Sequence, residues 1–221
     1  MAYIGRTPTG SILTGADIAD GSISTAKIAD NAIVTGKITD GTIATGDIAD
    51  SAVTVAKTSG VGISMADMWR ITSNYAIPSS ETVIGSAIAR VDDGTFAQIG
   101  TGMTQSSGTW TFPQTGLYHV KFNATRIRTA DGDFNCTASI YGTPDNSNYD
   151  HLCQGAESVN ANQSISFGSI SIEVLFNCTN TSTHKVQFFI GGGNDSFNRR
   201  LDGSGLISLN SFVFFRIGDS Q

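Results

Sequence analysis

The sequence predicts an all-β protein in two parts, a thin repeat shaft followed by a β-sandwich. Three observations carry this. Residues 11–60 place an apolar side chain at every fifth position without a slip. Residues 67–221 break into short runs rich in Val, Ile, Thr, Phe and Tyr, set between clusters of Gly, Asn, Asp and Ser, the pattern of strands and turns. No segment repeats its apolar residues at the three-and-four spacing of a helix.

The two parts differ in composition. Residues 11–60 contain no aromatic residue and no Pro, Cys, His, Arg or Met, whereas all twelve phenylalanines lie at Phe96 or later. A shift this sharp marks a boundary within 58–66, where the Gly/Ser-rich Thr58-Ser59-Gly60-Val61-Gly62-Ile63-Ser64 falls. Three stretches are expected: residues 1–10, a ten-residue-repeat shaft over 11–60, and a sandwich over 61–221.

In the repeat, Leu13, Ile18, Ile23, Ile28, Ile33, Ile38, Ile43, Ile48 and Val53 recur every five residues. A small residue stands two places before each of Ile18 to Val53, and Asp20, Asp30, Asp40 and Asp50 close successive decads as turn residues do. Two architectures suit this period. One is a square single-chain β-helix with a corner per pentad, resembling the pentapeptide-repeat pattern with Ile at its centre. The other is a shaft of several identical chains, each donating these side chains to a common axis. Fifty residues make too short a stack to bury much apolar surface alone. Nine aliphatic side chains do not offset the backbone entropy of ordering fifty residues, so association of identical chains is favoured. The nine are expected to be buried, with the Lys and Asp between them exposed.

In the second part, strands are expected over 68–77, 82–91, 95–103, 108–112, 116–128, 133–141, 151–155, 164–176, 185–190 and 208–217. Many short strands without a helix suggest a sandwich, and the jelly roll is the commonest way to close one. Residues 117–124 alternate, with Tyr118, Val120, Phe122 and Ala124 facing inward. Phe212-Val213-Phe214-Phe215-Arg216-Ile217 is apolar on both faces, and a second copy of the chain can supply the second apolar layer. Phe112, Tyr118, Phe122, Phe188, Phe212, Phe214 and Phe215 are the expected core and subunit interface.

Composition excludes several functions. Thirteen Lys and Arg stand against nineteen Asp and Glu, a net charge of −6. Nothing concentrates positive charge for phosphate binding, so no nucleic-acid partner is expected. No apolar run reaches the ~20 residues of a membrane span, and residues 1–6 lack the apolar core of a secretory signal. Cys136, Cys153 and Cys178 are odd in number and far apart; reduced thiols are expected of a chain made in a reducing cytoplasm. His119, His151 and His184 show no metal-ligand spacing. A Cys153–His151 dyad is set aside on the expectation that the two point to opposite faces of a strand. The acidic residues of the second part fall mostly among Gly and Asn, as turn formers. No catalytic residue, metal or cofactor is expected.

Trp110-Thr111-Phe112-Pro113-Gln114-Thr115-Gly116-Leu117-Tyr118-His119-Val120 resembles the signature of the complement-globular-head and tumour-necrosis-factor-like (TNF-like) jelly roll: an aromatic strand, a Pro, then Gly-Leu-Tyr opening the next strand. Phe96 stands where that family has its own Phe. The resemblance covers residues 67–217 and implies a compact trimer around a three-fold axis. Separately, the Ile-x-Asp decads resemble the shafts of fibre proteins of tailed bacterial viruses, marine ones especially. Met1-Ala2-Tyr3-Ile4-Gly5-Arg6 resembles the short anchor peptide of such virion proteins.

Together these resemblances imply a homotrimeric virion fibre, non-enzymatic and made in the host cytoplasm. Tyr3, Ile4, Gly5, Arg6 and Pro8 would anchor it to another virion protein. Its C-terminal knob would meet a glycan or protein of the host surface. Host-contact candidates are the polar stretches 131–134 and 145–150, with Asp131, Asp133, Asp145, Asn146, Asn148 and Tyr149. The alternatives are a head fibre or capsid decoration protein, and a soluble lectin-like ligand of the complement-head type.

Overall fold

The computed structural model describes residues 18–50, 52–53, 63–92, 94, 98–128, 134–159, 165–192 and 199–221. The chain divides into two compact units, Met1–Thr54 and Val55–Gln221.

In the first unit the repeating element is ten residues long and has two unlike halves. One half is a β-turn. Ser22 N bonds Ala19 O at 3.0 Å, Ala32 N bonds Ala29 O at 3.0 Å, and Thr42 N bonds Thr39 O at 3.1 Å. The third residue of these turns has positive φ: Gly21 at 72°, Asn31 at 60° and Gly41 at 79°. Gly and Asn are the residues that tolerate that conformation. The other half is a single 3₁₀ turn, at Thr25–Lys27, Thr35–Lys37 and Thr45–Asp47. Asp47 closes its own turn by accepting Ala44 N at 2.9 Å. No strand occurs among the described residues of this unit.

The expected burial of the repeat's apolar residues depends on other copies of the chain. Within one chain they are exposed: Ile18, Ile28, Ile38 and Ile48 by 39–48%, and Ile23, Ile33 and Ile43 by 54–56%, with Val53 exposed as well. Among the described residues, the backbone bonds of these turns span only three positions along the chain. Successive isoleucines instead line open hollows, such as one of about 400 Å³ between Ile33, Ile38 and Ile43. Leu13 lies outside the described residues.

Among the described residues, the second unit contains thirteen strands: β1 (Met65–Ile71), β2 (Tyr75–Ala76), β3 (Thr82–Val83), β4 (Ile88–Arg90), β5 (Thr104–Ser106), β6 (Thr109–Thr111), β7 (Gly116–Arg128), β8 (Phe134–Thr143), β9 (Asp150–Val159), β10 (Ser166–Cys178), β11 (Lys185–Gly191), β12 (Arg199–Leu201) and β13 (Ser211–Gly218). They form two antiparallel sheets. The first runs β4-β1-β13-β7-β10, with β12 also on β7 and β2 on β12. The second runs β5-β6-β11-β8-β9, with β3 on β11. Taking β1, β6, β7, β8, β9, β10, β11 and β13 as the eight principal strands, the sheets read 1-8-3-6 and 2-7-4-5. That order is a jelly roll.

Alternation on β7 turns Tyr118, Val120, Phe122 and Ala124 inward, all at most 2% exposed. They meet an aromatic centre. Trp110 lies edge-on to Trp69 (5.0 Å) and Phe188 (5.8 Å), and Phe122 stacks on Phe212 at 4.9 Å. Phe112 stacks on Phe176 at 5.0 Å. Six of the seven expected core residues therefore fill the sandwich: Phe112, Tyr118, Phe122, Phe188, Phe212 and Phe214. Phe215 is the seventh and lies outside this interior. One residue on from the inward Phe214, it stands on the other face of β13 and is half-buried.

Candidate interaction surface

The outer face of the first sheet is built from alternate residues of β1, β13, β7 and β10. The pairing Ala66–Phe215–His119–Leu175 runs across four strands, and Met68–Val213–Lys121–Glu173 forms the next row. The His119 ring lies parallel to Phe215 (6.3 Å between centroids, 7°). Its Nε2 is 3.1 Å from Glu173 Oε2, with Lys121 Nζ at 3.8 Å from the same oxygen. Around this polar trio the face is apolar: Leu175 is 60% exposed and Ile217 is 49% exposed, with Val213 and Phe215 half-covered. A soluble sandwich ordinarily turns polar residues outward on such a face.

The face rests on a buried anchor. Asp67 lies on β1 with its side chain sealed from solvent. Its carboxylate accepts Arg90 Nε at 2.9 Å, Arg90 Nη2 at 3.2 Å, Trp69 Nε1 at 2.8 Å and the Met103 amide at 2.7 Å. The Arg90 guanidinium also covers the Trp69 ring at 4.5 Å. Three of these donors converge on Oδ2 and one reaches Oδ1, and such paired, hydrogen-bonded surroundings are the condition for tolerating a charge there. Sequence reasoning missed this cluster, because a single Asp in an apolar run carries no periodic signal.

The Gly-Leu-Tyr segment has a steric reason. A Cβ on Gly116 would collide with Arg216 Nε and sit 2.9 Å from Gly218 O. Arg216 uses that space to donate from Nε to Thr115 O at 2.9 Å and from Nη1 to Ser64 Oγ at 3.1 Å. Tyr118 Oη donates to Gln114 O at 2.8 Å, and burial pushes its phenol up to about 12.

The 145–150 stretch joins β8 to β9. Asp145 spends its carboxylate inside the turn. Oδ1 accepts the amides of Asn148 (2.8 Å) and Ser147 (2.9 Å) and the Thr143 hydroxyl (2.8 Å), while Oδ2 accepts Asn148 Nδ2 at 2.7 Å. These bonds, the Asn148 amide foremost, hold the carboxyl well below its ordinary range. Asp145 and Asn148 thus serve the loop's own geometry, Asn146 takes the left-handed conformation (φ 61°), and Tyr149 is half-buried. Asp131 and Asp133, like Tyr3, Ile4, Gly5, Arg6 and Pro8, lie outside the described residues.

His151 and Cys153 face opposite sides of β9, and a β-bulge is the cause. Two residues apart, they would share a face in a regular strand. The register steps from Ile140–Cys153 to Tyr141–His151, leaving Leu152 as the extra residue. His151 stacks on Tyr141 at 4.6 Å, while Cys153 packs against the interior. Burial raises all three thiols, Cys136 to about 11. Among the described residues, no three His, Cys, Asp or Glu side chains gather as metal ligands would.

The strand order and this surface define an eight-stranded jelly roll with one uncovered apolar sheet face. No protein-family model matches the chain, and no curated protein matches it. Solved structures resemble its fold. Murine APRIL, in the structure at pH 5.0, aligns at a TM-score of 0.48 with 11% identity, over 69% of this chain and 98% of that one. Eiger TNF from S. frugiperda aligns at 0.47 with 10% identity, over 72% and 96%. The PRD1 vertex protein P5 aligns at 0.40 with 16% identity, over 71% and 99%.

Proposed function

We propose that this chain is a structural, non-enzymatic virion protein: a homotrimeric fibre of a tailed bacterial virus whose C-terminal jelly roll meets the host surface. One observation carries the reading. Both units leave apolar side chains uncovered in the single chain, the Ile18–Ile48 series in one and Leu175 and Ile217 beside the half-buried Phe215 in the other. Identical copies supply matching apolar surface to both at once. Residues 1–10 serve as the attachment to another virion protein, and the polar loops of the jelly roll as the host-facing end. The mechanism is avidity. Three weak sites on one stalk, and several stalks on a particle, raise the effective concentration of every later contact.

The experiment is competition. Purified full-length protein, added before infection, should slow adsorption of the virus that carries it. Unchanged adsorption at saturating protein would contradict host attachment and favour a head fibre or capsid decoration protein.

A further inference from the structure

The strand that closes the jelly roll is interrupted. β12 and β13 both pair with the same side of β7, Leu201 opposite Arg126 and Ser211 opposite Asn123. They are two halves of one strand, and residues 202–210 loop out between them. This excursion is braced at its base and along its length. Asn210, fully buried, accepts the Thr125 amide at 2.6 Å and donates to Asp202 O at 2.5 Å. Arg70 Nη2 donates to Gly205 O at 2.5 Å, and Ser204 N to Ile71 O at 3.0 Å. Ser204 Oγ accepts the amides of Leu206 (3.1 Å) and Ile207 (3.2 Å). A Cβ on Gly203 would collide with Ser73 backbone.

All this bonding holds up an apolar tip. Leu206 is 85% exposed, the most exposed large hydrophobic among the described residues, and Ile207 is 59% exposed. A loop that needs no partner would place polar residues there. A preorganised apolar tip loses little entropy on docking.

Its complement lies across the same sheet. β10 is the far edge strand, on the side of β7 opposite to β12 and β13. There Phe167 is 66% and Ile165 57% exposed. Phe167 pairs with Ile127 and Ser169 with Thr125, so this patch sits at the level along β7 where the excursion is rooted. We infer that the Leu206–Ile207 tip of one copy seats on Phe167 and Ile165 of the next copy. A contact between opposite flanks of one sheet at one level is heterologous, and repeats around an axis along the strands until the ring closes. The inference rests on the self-association proposed above; it adds which residues lock the ring and in which sense.

The test uses the full chain. In the L206C/F167C double variant, mild oxidation should give a covalent ladder ending at the size of the native assembly. Neither single variant should cross-link beyond the wild-type background, because equivalent residues do not meet in a heterologous ring. The native thiols set the wild-type background: Cys136 and Cys178 are buried, and Cys153 is half-buried against the interior. Leu206→Glu with Ile207→Glu should weaken assembly about 30-fold, the effect of losing an interface hot spot, with the near-ultraviolet signal of Trp69 and Trp110 intact. Cross-linking of L206C to itself would overturn the arrangement, and so would unchanged assembly of the double Glu variant. If the wild-type chain is itself a monomer, the self-association reading falls together with this one. If it assembles and the Glu variant assembles equally well, only this one falls.

Discussion

Asp67 shows how much one residue can hold. Its carboxylate organises four donors from β1, β4 and the backbone at Met103. Asp67→Ala strands the partly buried Arg90 and leaves an indole N–H and an amide unpaired. Removing one partner of such a pair costs about 3–5 kcal/mol when it is buried, and Arg90 keeps a third of its side chain in solvent, so about 3 kcal/mol is expected. Denaturant unfolding checks it, and a loss below about 1 kcal/mol would show that the cluster is ornamental. Tyr118 gives a prediction of opposite pH sense to a carboxyl held below its ordinary range. Its folded-state phenol is raised to about 12 by burial, against about 10 when unfolded. The stability it contributes is whole below pH 10 and is lost as pH rises towards 12. Unfolding midpoints across that window should fall steeply in the wild type and less steeply in Tyr118→Phe, with Tyr75 and Tyr141, also raised, keeping part of the slope.

Elements show what the sequence makes legible and what it hides. Strand β7 is readable because alternation over Tyr118, Val120, Phe122 and Ala124 reports one buried face directly. The expected single strand over 82–91 is two: Thr82–Val83 belongs to one sheet and Ile88–Arg90 to the other, with Ala87 at φ 58° between them. Both halves look like strand, and nothing in residue type marks the crossing. The last strand starts at Ser211, because the aliphatic stretch just before it belongs to the looped-out excursion. Leu152 hides similarly, since a bulge adds a residue without changing composition. In the repeat, the five-residue spacing is plain, but Gly21, Asn31 and Gly41 reveal that alternate pentads differ. Whether the isoleucines meet an axis depends on other chains. Ile33→Asp tests that: a charge on an apolar axis costs several kcal/mol unless paired. Limited proteolysis should then cut within 18–53 faster than in the wild type, while the melting of the jelly roll stays unchanged. Equal cleavage rates would mean that the series is no core.

For the whole molecule, each unit has an incomplete surface and the same remedy. Among the described residues, the decads leave their isoleucines exposed, and their turns bond only locally. The jelly roll closes its interior around Trp110 and Phe122 yet leaves Phe215, Leu175 and Phe167 outside. The resemblance of Gly116-Leu117-Tyr118 to a trimeric family pointed to the right sandwich, and the strand order shows that sandwich independently. Self-association is the central claim, and the mass of the intact assembly in solution tests it most directly. Native mass spectrometry of the full chain at micromolar concentration should give three times 23.1 kDa. A stable species of 23.1 kDa would contradict the account.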